Sequence, residues 1–80
     1  MRATVLVRPK SGILDPQGEA VHGALRQLGF AVSEARVGRV VDVELEATDA
    51  GEARTALERM CEQLLANPLI ESYEITLEST

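Results

Sequence analysis

Ile13-Leu14-Asp15-Pro16-Gln17-Gly18-Glu19-Ala20-Val21 is the stretch where an extended segment gives way to the first helix. Asp15 carries the carboxylate of an N-cap, and Pro16 falls at the first helical position, where its missing N–H costs nothing. Glu19 adds negative charge to the first turn, which the helix dipole favours. Ile13 and Leu14 stand just before the cap, placed to pack back onto Ala20 or Val21 and set the entry angle. Strand end, turn and helix start are specified together here, and the rest of the chain is read outward from them.

Upstream, Arg2 to Arg8 is rich in β-branched types and alternates, with Ala3, Val5 and Val7 on one face, which predicts a strand closed by Pro9. Lys10-Ser11-Gly12 supplies loop chemistry before the cap. Downstream, Ala20, Val21, Ala24, Leu25 and Leu28 follow helical spacing to a stop at Gly29. Gly18 and Gly23 weaken a helix, so both are expected to admit another backbone at close range. From Phe30 to Thr48 the period becomes two, clearest where Val41, Val43 and Leu45 alternate with Asp42, Glu44 and Glu46. Gly38-Arg39 interrupts this run as a tight turn or bulge, predicting a hairpin of residues 31 to 37 and 40 to 47. The first arm alternates poorly, as an edge strand does.

A second helix starts at Asp49, with Glu52 three residues on in a capping-box pattern. Its expected buried stripe is Ala53, Leu57, Met60, Cys61, Leu64 and Leu65, and Asn67-Pro68 ends it. Leu69 to Glu78 alternates again as a last strand, with Tyr73, Ile75 and Leu77 on one face, and only the end of the chain is expected to fray. The order strand, helix, strand, strand, helix, strand gives an α+β, ferredoxin-like βαββαβ plan: one domain over residues 1–80, an antiparallel sheet and two helices on one face. The other face shows Leu6 and Val40 among charged residues, a plausible surface for self-association.

Composition narrows function. A net charge of −5, from 13 acidic and 8 basic residues without a basic run, together with only Phe30 and Tyr73 as aromatics, argues against nucleic acid. The apolar runs are too short for a membrane helix, no signal-peptide pattern opens the chain, and one cysteine allows no internal disulfide, so a cytoplasmic location is expected. His22 stands alone, Cys61 lies on the core stripe, and the carboxylates lack ligand spacing; neither a catalytic nor a metal constellation is expected. The most tempting site is Arg8 to Gly12, where Arg8 and Lys10 could receive an anion near the first helix.

Leu14-Asp15-Pro16-Gln17-Gly18, the segment Arg36-Val37-Gly38-Arg39, and above all Met60 to Glu71 with its Ala66-Asn67-Pro68-Leu69-Ile70 run resemble PurS. That family is the small subunit of phosphoribosylformylglycinamidine synthase in purine biosynthesis, and the likeness spans essentially the whole chain. Arg39 departs from the lysine the family often carries after the glycine. The resemblance implies a non-catalytic chain that forms a homodimer or higher homo-oligomer and joins a glutaminase subunit to a large ATP-dependent synthetase subunit. The complex uses ATP, magnesium and glutamine, none held by this chain, to turn formylglycinamide ribonucleotide into its amidine. The small subunit supports assembly and ammonia passage. Arg8, Lys10, Gln17, Gly18, Arg36, Gly38, Arg39, Asn67 and Pro68 are the expected partner contacts. The alternative reading is a ferredoxin-like regulatory module of the ACT kind that binds a small molecule.

Overall fold

In the computed structural model, which describes residues 1–78, Arg2–Pro9 forms β1, Pro16–Gln27 α1, Arg39–Glu44 β2, Ala50–Met60 α2 and Glu71–Glu78 β3. A π-helical turn, Cys61–Leu65, extends α2. β1 is the central strand, antiparallel to β2 on one side and to β3 on the other. The register sets Val5 between Val41 and Ile75, and Ala3 between Val43 and Leu77, so the apolar residues of all three strands share one face. α2 lies on that face: Ala3, Val5 and Val7 are fully buried, as are Ala53, Leu57 and Cys61. The frayed end expected of the chain falls on residues outside those described.

Both N-caps form as the sequence predicts. Asp15 accepts from the Gly18 amide at 3.0 Å and Asp49 from the Glu52 amide at 3.1 Å. Gly29 adopts φ 96°, a left-handed conformation that stops α1. Of the capping box, only the Asp49 half is made among the described residues. Leu14, one of the two residues placed for the staple, is 79% exposed.

Helix α2 departs from a regular stripe at its end. The Ala66 amide donates to the Cys61 carbonyl five residues back, at 3.0 Å, and the extra residue in that turn shifts the helical face. Leu64, expected in the core, is turned outward, and Ala66 takes its place as a buried residue.

Two corrections concern α1 and the segment after it. The antiparallel α+β plan holds, but the sheet has three strands: residues 31 to 37 join no ladder, and β2 begins at Arg39 rather than at a hairpin turn. Among the described residues, α2 with its π-helical extension is the helix that packs on the apolar face. No residue of α1 belongs to the core, and Gly18 is the one buried residue in that helix. Residues 10 to 38 instead form an arm that leaves the sheet and returns, with segment 30–37 running back along α1. His22 Nε2 and an Arg26 guanidinium N–H both meet the Val32 carbonyl oxygen, each at 2.9 Å. A helix of about 18 Å beyond strands of about 26 Å accounts for most of the 49 Å long axis. The radius of gyration is 15.8 Å, against about 12 Å for a compact chain of this length.

Candidate functional site

The site is the root of the arm, at the end of the sheet where β1 runs out and β2 begins. Asp15 holds it shut. Besides capping Gly18 with Oδ1, its carboxylate accepts from the Val37 amide through Oδ2 at 2.9 Å, tying the start of α1 to the end of the return segment. These two amides, Val37 first, hold the Asp15 carboxyl below its ordinary value, and the nearby Arg36 guanidinium adds to the effect.

Two glycines make the closure possible. A Cβ on Gly18 would run into the Ala35 carbonyl oxygen and the Asp15 carboxylate, and one on Gly38 into the Val7 carbonyl oxygen. Gly18 thus serves as the sequence predicts, admitting a backbone. Gly23, predicted to do the same, has open space around it. Gly38 makes neither a turn nor a bulge but passes the return segment close across the end of β1.

On the α2 side of the root, Arg39 forms a fork with Glu71, NH1 to Oε2 at 2.7 Å and NH2 to Oε1 at 3.0 Å, and its NH2 also donates to the Leu65 carbonyl. Glu71 Oε1 accepts in turn from the Asn67 amide at 2.7 Å. Arg39 and that amide hold the Glu71 carboxyl below its ordinary value, and Glu71 raises Arg39 further. A lysine at 39 would keep the charge and lose the planar fork that reaches three acceptors. Asn67 caps its own turn by accepting from Leu69 N at 3.1 Å, and Lys10 Nζ donates to the Pro68 carbonyl at 2.8 Å.

The opposite side is open. A cleft of about 430 Å³ is lined by Leu6, Arg8, Pro9, Arg36, Gly38, Arg39 and Val40. Val40 is 58% exposed, and neither Arg8 nor Arg36 has an ion-pair partner among the described residues. A smaller cleft of about 220 Å³ includes Asp15, Gln17, Val37 and Gly38. The nine residues expected to touch partners therefore gather at one end of the molecule. Lys10 and the Asn67-Pro68 pair are engaged internally, Arg8, Arg36 and Gln17 line clefts, and Arg39 does both. Glu71, the hinge of the inner cluster, escaped the sequence reading, although its place four residues after Asn67 is the spacing that closes the turn. No group of three or more His, Cys, Asp or Glu side chains could hold a metal among the described residues. Cys61 is fully buried, and burial pushes its thiol up, with Glu62 and Glu58 adding to the shift.

Comparison with known proteins agrees with this geometry. The family model described as PurS: Phosphoribosylformylglycinamidine (FGAM) synthase matches residues 2–79. The FGAM synthase subunit PurS of Methanocaldococcus jannaschii is 38% identical over 96% of this chain and 94% of its own length. That of Synechocystis is 47% identical over 94% of this chain and 76% of its own. The crystal structure of the M. jannaschii PurS superposes with a TM-score of 0.86 over 99% of this chain and 96% of that one. A chain of the Thermotoga maritima PurLQS structure, 33% identical, gives 0.84 over 94% of this chain and 93% of its own. The chain belongs to the PurS family, the PurS subunits of the ligase complex FGAM synthase.

Proposed function

We propose that this chain is the non-catalytic assembling subunit of its FGAM synthase: it self-associates, holds the glutaminase subunit against the large ATP-dependent synthetase subunit, and supports the passage of ammonia between them. ATP, magnesium and glutamine are handled by the larger subunits. The observation that carries the reading is the arm root. Arg8 and Arg36, without an ion-pair partner among the described residues, flank an apolar floor of Leu6 and Val40 in a chain of net charge −5, a local reversal of sign suited to an acidic, apolar-edged partner segment. The match to a chain of the T. maritima PurLQS structure supports the same role.

Reconstitution tests it. The glutaminase and synthetase subunits of the same source are expected to lack full glutamine-dependent activity until this chain is added, and Arg8→Glu with Arg36→Glu to weaken assembly by about tenfold at low salt. Full activity without the chain overturns the proposal.

A further inference from the structure

The outer face of the sheet changes character along its length. Where β1 begins, polar groups pair across the strands: Arg2 Nε donates to Glu44 at 3.4 Å and the Thr4 hydroxyl to Asp42 at 3.1 Å. Two residues further along, the register sets Leu6 against Val40, an apolar pair. The next outward residue of β1, Arg8, lies beyond the start of β2 and has no residue of that strand opposite it. What shares the cleft with it instead is a second cation, Arg36, brought in by the return segment. A Cβ on Gly38 would come to 3.3 Å from Arg8 Cγ, so the bare glycine leaves the arginine stem room beside that segment.

Three arginines border this cleft and no carboxylate lines it. Arg39 is committed to Glu71 through its fork. Arg8 and Arg36 make no ion pair among the described residues. Asp15, near enough to Arg36 to feel its charge, already accepts from two amides. Glu74, opposite Leu6 on β3, lies outside the walls of the cleft. Two like charges kept in one cleft repel each other, in a chain with 13 acidic residues to pair them with. A bound anion turns that repulsion into attraction.

The walls also indicate what the anion is attached to. A guanidinium grips phosphate or carboxylate oxygens in a planar fork, and two of them together suit the dianion of a phosphate monoester. Leu6 and Val40 offer aliphatic surface to the rest of the molecule, on which a ring can lie without its edge being read. A cleft of about 430 Å³ is of the size that small-molecule ligands occupy. We infer that the cleft binds a phosphate monoester of mononucleotide size, its phosphate held by Arg8 and Arg36 and its body laid on Leu6 and Val40, with little discrimination between bases. That site rests on the docking reading above in one respect only: a bound phosphate monoester and the acidic partner segment exclude each other.

Calorimetric titration of the full chain with AMP, GMP, adenosine and inorganic phosphate tests the site. AMP and GMP are expected to bind alike and saturably, inorganic phosphate more weakly, and adenosine not at all. Arg8→Gln and Arg36→Gln, both at exposed side chains, are each expected to weaken AMP binding by about tenfold or more. Arg2→Gln, at the other end of the same face, is expected to leave it unchanged, and circular dichroism checks that every variant is folded. No saturable AMP binding at millimolar concentration, binding that survives both substitutions, or adenosine binding as well as AMP overturns the inference. Pull-down of the glutaminase and synthetase subunits by this chain, with and without AMP, tells the two readings of the cleft apart. If AMP binds through both arginines and assembly ignores it, the phosphate site stands and docking in the cleft falls. If AMP does not bind while Arg8→Glu with Arg36→Glu still weakens assembly, docking stands and the phosphate site falls.

Discussion

Single residues at the arm root show how a local sequence preference is overridden by a contact. Gly18 and Gly23 sit in the same helix and carry the same intrinsic penalty, yet one is held by the Ala35 carbonyl and the other by nothing. Gly18→Ala is expected to lower stability by about 2 kcal/mol through overpacking, and Gly23→Ala to raise it by about 1 kcal/mol through helix propensity. Urea midpoints at one fixed protein concentration check both, and equal effects at the two sites would refute the contact. The sequence made the two glycines look alike because propensity is local, whereas the Ala35 carbonyl arrives from 17 positions along the chain. Asp15 shows the same division. Its cap was legible from Asp-Pro spacing, but its second bond, to the Val37 amide, depends on a return path that no short pattern encodes.

At the scale of elements, strands and helices with strong periodicity were readable, and the departures lie where periodicity is weak or a partner is needed. β1, β2 and β3 alternate cleanly and form close to the expected bounds. Segment 31–37 mixes Glu34 and Arg36 with small apolar residues, so alone it has too little to bury against the edge of β2 and is strapped to α1 instead. The outward turn of Leu64 follows from one π-type hydrogen bond, which a 3.6-residue period cannot anticipate. Two carboxylates fasten these elements, and their ionisation links stability to pH. Asp15 and Glu71 are held below their ordinary values of 3.8 and 4.5, so the unfolded chain takes up protons more readily than the folded one. Their contribution is fully present above the ordinary carboxylate range and is lost as pH falls from about 4.5 through the lowered folded values. The urea midpoint is therefore expected to fall between pH 7 and pH 3. Asp15→Asn should flatten that fall, since an amide nitrogen cannot accept from the Val37 amide; an unchanged slope would mean that Asp15 does not clasp the arm.

For the whole molecule, the numbers point to a fold completed by association. Eighty residues give a modest core at best, and here the fully buried side chains come from β1, α2 and the residue directly after it, while Leu28, Phe30, Leu64 and Leu69 stay exposed. A chain spread over 49 × 28 × 14 Å leaves a third of its length outside the core. If association supplies the missing burial, stability must depend on concentration by mass action. A hundredfold dilution lowers the apparent stability of a dimer by about 2.7 kcal/mol, which for a unit of two such chains shifts the melting midpoint by roughly 5–10 °C. Scanning calorimetry across that dilution range makes the measurement, with Leu28→Glu as the comparison. The unmodified chain should show the shift, while Leu28→Glu should melt lower and at a midpoint indifferent to dilution. A midpoint independent of concentration in the unmodified chain would show that the sheet and α2 are sufficient alone, and that the apolar stripe of the arm serves only the larger subunits.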